Sequence, residues 1–337
     1  MAQSIKAFVL LGAVSIASSL LAPEVQAEDF YAGKKIDLYI GFGPGGGYDL
    51  YGRLLARHLG LHIPGKPTIV PRNMPGAGGL GVISYMVNVA PRDGTALAIA
   101  SDGIVVEQVL GQTGINYDAS KLNWIGRLLA STTVYFTWHT SKTKTFEDAR
   151  QRETILSSAG SGITAYLPRA LNMFSGTKFK LVTGYQASAE QALAMERGEV
   201  EGAPALWTDL KNRKGDWLAE KKVSVLFIGS SRRSPEIPNV PTASETGFTE
   251  EGRTILSLFS SGDIGRAVFT APSVPSTQVS ILRQAFSAMM ADPAFIDDAS
   301  KSKLDLEPIG GEQMQKVVVQ MLAFPDSLVE KARAARR

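Results

Sequence analysis

One stretch constrains this chain more than any other: Ile36-Asp37-Leu38-Tyr39-Ile40-Gly41-Phe42-Gly43-Pro44-Gly45-Gly46-Gly47-Tyr48-Asp49-Leu50. Ile36 to Phe42 reads as a buried strand. Leu50 to Leu59 reads as a helix in which Leu50, Tyr51, Leu54, Leu55, His58 and Leu59 share one face. Four glycines and a proline separate the two. With no side chains in the way, the backbone there can aim successive N–H groups into one concavity. The loop delivers that concavity to a helix N-terminus, where open amides and the macrodipole favour an anion. A turn without a ligand is the plainer alternative, but four glycines exceed what a turn needs.

Gly41, Gly43 and Gly46 also satisfy G-x-G-x-x-G, the dinucleotide fingerprint. That fingerprint expects an acid after the second strand. Here Pro67 to Val70 is followed by Pro71-Arg72-Asn73, and Pro44 removes an amide from the loop. No Gly-Lys-Ser/Thr follows, so a P-loop is excluded too. The expected anion is small and is not a nucleotide.

Along the chain, strands alternate with helices, the pattern of an α/β sheet. Thr68 to Val70 leads into a second glycine-rich loop, Asn73 to Gly79, and a helix over 80–89. Ala96 to Ala100 ends at Ser101-Asp102-Gly103. Three successive strands thus end in loops of small residues at one edge, the edge where open α/β sheets bind ligands. A second region repeats the scheme. Thr154 to Ser158 precedes Ala159-Gly160-Ser161-Gly162 and a helix over 164–174; Phe179 to Thr183 precedes Gly184-Tyr185 and a helix over 189–197. The final region, with helices over 277–290 and 311–322, has few strands and is expected to pack on the first sheet. The basic end, Lys331 to Arg337, reads as a solvated helix terminus. The expected organisation is domain I at 28–127 plus 266–337 and domain II at 128–265, with two crossings that form a hinge.

Residues 1–27 read as a cleaved secretory signal. Lys6 starts it, Ala7 to Leu21 is apolar, and Val25-Gln26-Ala27 is a small-x-small cleavage site. The chain contains no Cys and carries a formal net charge of +3 with no basic run of nucleic-acid type. An exported protein without disulfides must rely on its core, which a chain of this size can supply.

Catalytic patterns are absent. There is no G-x-S-x-G elbow, and the histidines are His58, His62 and His139. His58 and His62 stand four apart without a following Glu, so a helix-end role is favoured over a metal site. Asp49 would repel an anion and fits a helix-start cap better. Tyr185 reads equally as a lid contact or as packing. Trp124, Trp138, Trp207 and Trp217 are expected in cores.

Gly43-Pro44-Gly45-Gly46-Gly47-Tyr48-Asp49 and Asn73-Met74-Pro75-Gly76-Ala77-Gly78-Gly79 resemble the two ligand loops of the tripartite tricarboxylate transporter receptors, also called the Bug family of periplasmic solute-binding proteins. Pro91-Arg92-Asp93-Gly94-Thr95, Pro238-Asn239-Val240-Pro241-Thr242, Glu245-Thr246-Gly247, Ala271-Pro272-Ser273-Val274-Pro275 and Met290-Ala291-Asp292-Pro293 continue the likeness in order. The resemblance implies an α/β, two-lobed periplasmic binding protein fold of type II-like form. Each lobe is then a mixed sheet flanked by helices, with the ligand cleft between lobes. It further implies a monomeric receptor that closes on a small organic acid. Main-chain amides rather than an arginine clamp hold the carboxylate, and the ligand passes to a membrane permease of one large and one small subunit. Tyr48 stands where the family usually has Thr, and Thr254 to Gly265 looks inserted.

The expected ligand-binding residues are Phe42, Gly43, Gly45, Gly46, Gly47, Tyr48, Asp49, Gly76, Ala77, Gly78, Gly79, Ser101, Asp102, Ser158, Gly160, Gly162 and Tyr185. No catalytic residue, metal, cofactor or nucleic acid is expected. The alternatives are a receptor for another transporter or sensor system, or an exported enzyme acting on a phosphorylated or dinucleotide substrate.

Overall fold

The computed structural model describes residues 30–76, 79–111, 114–158, 162–185, 188–260 and 262–336. The expected leader at 1–27 lies outside them, as do Ala77, Gly78 and Gly160 of the expected site. Within the first part of the chain lie β1 (Lys35–Ile40), β2 (Thr68–Asn73), β3 (Ala96–Ile99) and β4 (Asn123–Arg127). The middle supplies β5 (Thr133–Trp138), β6 (Thr154–Ser158), β7 (Phe179–Thr183), β8 (Gly202–Leu206) and β9 (Val223–Gly229). The chain then returns with β10 (Ala267–Thr270) and β11 (Ile309–Gly310). Two mixed sheets result, ordered β11-β4-β10-β3-β1-β2 and β7-β6-β8-β5-β9. Being at the sheet edge, β2 tolerates Pro71, so it runs to Asn73 instead of stopping at Val70.

Each sheet is the middle of a lobe with its own core. In the first, Ile36, Leu38, Ile40, Leu97 and Ile99 meet Phe269 and Phe286. Gly126 of β4 makes room for Phe286, because a Cβ there would lie 2.3 Å from the ring. In the second, Tyr135 and Phe227 stack at 4.4 Å. All four tryptophans are buried.

The helices that bear on the site are α1 (Gly47–His58), α2 (Leu80–Asn88), α3 (Ile104–Val109), α4 (Ile163–Ser175), α5 (Glu250–Phe259), α6 (Ser276–Met290), α7 (Pro293–Lys301), α8 (Gly311–Leu322) and α9 (Asp326–Arg336). The first begins three residues earlier than the apolar period suggests, so Gly47 is already helical. Much of the segment expected as an insertion, Thr254 to Gly265, is the second half of α5. Its Ile255, Leu256, Leu258 and Phe259 are buried in the second lobe's core.

The chain crosses between lobes at 128–132 and 262–266, and the two segments pair. Leu128 N donates to Arg266 O at 3.0 Å, Arg266 N to Leu129 O at 2.8 Å, and Ser131 N to Gly262 O at 2.8 Å. Gly265 has φ of +52°, and a Cβ there would sit 2.0 Å from Leu129 O. A side chain at that position would force the ribbon apart.

A third crossing corrects the expectation that everything after 266 stays with the first domain. After α8, the chain turns back and α9 packs on α4 and α5, burying Ala332 and Ala335 in the second lobe. Its apolar stripe needs cover, and the first sheet is already covered. The basic end is correspondingly not just solvated. Lys331 pairs with Glu251, Arg333 Nε donates to Leu110 O at 2.7 Å, and Arg336 lies 3.8 Å from Glu107.

His58 and His62 fasten helices within the first lobe. His58 Nε2 and Arg57 Nε lie 2.8 and 2.9 Å from Asp298 Oδ2, and His62 Nε2 lies 3.1 Å from Asp292. Hydrogen bonds from Arg57 and then His58 hold the Asp298 carboxyl down to about 2, from the ordinary 3.8. A lowered folded-state pKa gives stability that is full above the unfolded value and is lost as pH falls through the folded one. Asp298→Asn is therefore expected to be less stable than wild type at about pH 5 and above, with the gap closing between about pH 4 and pH 2. Urea denaturation of both proteins across pH checks this; a gap that does not change with pH contradicts it.

Candidate ligand cleft

The ends of β1, β2 and β3 touch at one edge. A Cβ on Gly41 would lie 3.1 Å from Gly79 Cα, and one on Gly79 would lie 3.0 Å from Ser101 N. Small residues at these loops are thus a packing requirement, and they bring the three strand ends onto one floor.

Asp49 fastens the glycine loop. It is only 3% exposed, and its carboxylate accepts from Gly45 N at 2.9 Å, Asn73 Nδ2 at 2.8 Å and Arg53 Nε at 2.9 Å. The same Asn73 Nδ2 reaches Phe42 O at 2.9 Å. Burial opposes the charge, but the hydrogen bonds from Arg53, the Gly45 amide and Asn73 outweigh it and hold the carboxyl below its ordinary range. Two expectations change. Asp49 is a clamp on the loop instead of a helix cap, since Gly46 is the N-cap and has no side-chain partner. The Gly45 amide is spent inside the loop. The amides of Gly46, Gly47 and Tyr48 have no partner among the described residues.

Tyr48 forms the floor of the cleft. Its ring stacks on Phe42 with centroids 4.2 Å apart and 15° between planes, and the Arg266 guanidinium lies 3.8 Å from the ring centroid. Both cannot occupy one face, so the ring is sandwiched. Its hydroxyl accepts from Asp102 N at 3.1 Å. Burial, and then the Asp102 charge, push the phenol's pKa upward against the pull of Arg266.

Around this floor is a cleft of about 630 Å³ between the lobes. Phe42, Tyr48, Ser101, Asp102 and Gly162 of the expected residues line it. Gly47 adjoins it, because a Cβ there would be 3.4 Å from Arg266 Nη2. Gly43, Gly45, Gly46 and Gly76 are exposed and outside the lining. Gly79 acts as a spacer, Ser158 is buried outside the lining, and Tyr185 packs against a hydrophobic cluster of the second lobe.

Sequence reading missed Arg266, Glu107, Thr133, Tyr166 and Leu206, which also line the cleft. The available signal was a charge stranded beside an apolar run, as in Ile104-Val105-Val106-Glu107 and Arg266-Ala267-Val268-Phe269. Glu107 accepts from Tyr166 Oη of the opposite lobe at 3.3 Å. Burial raises its carboxyl pKa, with Tyr166 and Arg336 opposing. A second cavity, about 640 Å³, lies against Leu129, Ala130 and Asp263, and Lys211–Asp305 (3.1 Å) and Arg232–Glu307 (3.6 Å) bridge it. No group of three metal-ligating side chains occurs among the described residues.

Removing the Asp49 carboxylate strands the Gly45 amide and the Asn73 and Arg53 donors. Asp49→Ala is expected to cost the ligand-free protein about 1–3 kcal/mol, measured by chemical denaturation. An unchanged midpoint would show that the loop holds its shape without the clamp.

The profile of the tripartite tricarboxylate transporter family receptor, TctC, matches residues 54–333. A UPF0065 protein in the tcbD-tcbE intergenic region of Pseudomonas sp. strain P51 is 25% identical over 310 residues, spanning 90% of this chain and 87% of that protein. A TctC solute binding protein from Polaromonas superposes with TM-score 0.67 at 21% identity, covering 89% of this chain and 99% of that one. MatC from Rhodopseudomonas palustris, solved with bound malate, gives TM-score 0.61 at 18% identity, covering 90% and 99%. With the profile covering most of its length and the two-lobed fold shared, the chain belongs to the tripartite tricarboxylate transporter receptor family.

Proposed function

We propose that this receptor captures a small organic carboxylate in the periplasm and hands it to a membrane permease of one large and one small subunit. Residues 1–27 act as the cleaved export signal, and the mature protein works as a monomer. One lobe comprises 30–127 and 266–323, the other 128–265 and 324–336, and ligand draws them together about the paired crossings.

The open N-terminus of α1 carries this reading. Among the described residues, three consecutive amides, of Gly46, Gly47 and Tyr48, lack partners where α1 starts at the rim of the cleft, and the helix has no side-chain cap. Amides and dipole together suit a carboxylate. A nucleotide is disfavoured, because β2 ends in Arg72 and Asn73 with no acid for a ribose. Malate bound in a relative of the same fold agrees with a small acid.

A melting screen of mono-, di- and tricarboxylates, aromatic acids, amino acids and nucleotides tests the reading. An acid present at a hundred times its Kd should stabilise the protein by about 2.7 kcal/mol. Gly46 has φ of −82°, so proline fits there and removes one amide alone. Gly46→Pro is expected to lower acid affinity by about ten- to a hundredfold while leaving ligand-free melting unchanged. Tighter binding of a nucleotide than of every acid would refute the reading.

A further inference from the structure

We infer that Arg266 is the side chain that anchors the ligand's carboxylate. This deepens the proposed function and rests on it, and it departs from the amide-only arrangement that the family resemblance implies. Arg266 is 5% exposed and lines the cleft. Its Nη1 donates to Ser131 Oγ at 3.1 Å, while its buried Nε has no partner among the described residues. Among the described residues no carboxylate lies within ion-pairing distance of it.

A guanidinium kept only as a structural staple has a cheaper arrangement available. Burying a charge costs free energy unless a counter-charge and hydrogen bonds compensate. Ser131 and the face of Tyr48 satisfy part of this cation and leave its charge unneutralised. An anionic ligand is the missing partner.

The geometry places that partner. Arg266 Nη2 would be 3.4 Å from a Cβ on Gly47, which puts the guanidinium at contact distance from the start of α1. The cation therefore lies beside the amides of α1 that have no partner among the described residues. One carboxylate can then bridge the helix N-terminus and the guanidinium. The stack with Tyr48 fixes the plane of the fork, which suits two-point recognition of a carboxylate and which lysine cannot reproduce. Asp102 and Glu107 also line the cleft, so its negative side lies on the first lobe's β3–α3 segment. The backbone of Arg266 forms part of the crossing ribbon, so the ligand's charge is met at the pivot between lobes.

The test compares wild type with Arg266→Met and Arg266→Lys, using malate, succinate, adipate, benzoate and glutamate in melting and calorimetry. For the acid that binds wild type best, Arg266→Met should lower affinity by about ten- to a hundredfold, and Arg266→Lys by less. Without ligand, Arg266→Met should melt at or above the wild-type temperature, because an uncompensated buried charge has gone and the ribbon's main-chain bonds remain. Wild-type affinity in Arg266→Met overturns the anchor and leaves the receptor function standing. Should Arg266→Met melt lower, Arg266→Lys decides. Weaker acid binding at wild-type melting supports the anchor, while unchanged affinity or lowered melting makes Arg266 a structural staple. If wild type binds none of the five acids and no other carboxylate, the receptor reading falls and the anchor with it.

Discussion

The pairing of the two crossing segments, Leu128 to Ser131 against Gly262 to Arg266, is the constraint on which the rest depends. Three main-chain hydrogen bonds set the segments side by side, and glycines at 262 and 265 let the backbones approach. Each lobe is built on one sheet, and the ribbon joins the two sheets between β4 and β5 and between β9 and β10. Its position therefore fixes the distance between the β1–β3 loops on one side and the start of α4 on the other. The third crossing, by α9, adds a contact behind the cleft through Arg333 and Arg336. Relative motion of the lobes has to accommodate both connections.

Within that frame, charge is distributed in an orderly way. Asp49 and Arg53 neutralise one another, and with Asn73 they commit their hydrogen bonds to shaping the glycine loop. Among the described residues, the α1 amides are left over, and Arg266 stands against Tyr48 without a counter-ion. Tyr48 is what the guanidinium stacks on, so its ring and the buried cation form one unit.

Much of the fold was legible in the sequence because local period and turn chemistry agree there. β1, the glycine loop, β3, β6, and α6 and α8 fall where apolar spacing and glycine punctuation place them. The convergence of loops at Gly41, Gly79 and Ser101 was legible for the same reason. Other features depend on long-range contacts that leave little local trace. The return strand β10 is only four residues long and gains its meaning from lying antiparallel between β3 and β4. α9 reads as an ordinary basic helix until its alanine stripe is seen against α4 and α5. Asp49 was misread because its three donors come from positions 45, 53 and 73. Arg266 was missed because nothing in its neighbourhood in sequence shows that Ser131 and Tyr48 surround it.

The central claim is that an acid binds between the lobes with its carboxylate at the start of α1. A crystal structure of the mature protein with its tightest-binding acid tests this most directly. Carboxylate oxygens are expected within hydrogen-bonding distance of amides in the Gly46–Tyr48 segment, with both lobes touching the ligand. An acid held instead in the cavity beside Trp207 and Arg232, or resting on one lobe alone, would contradict it.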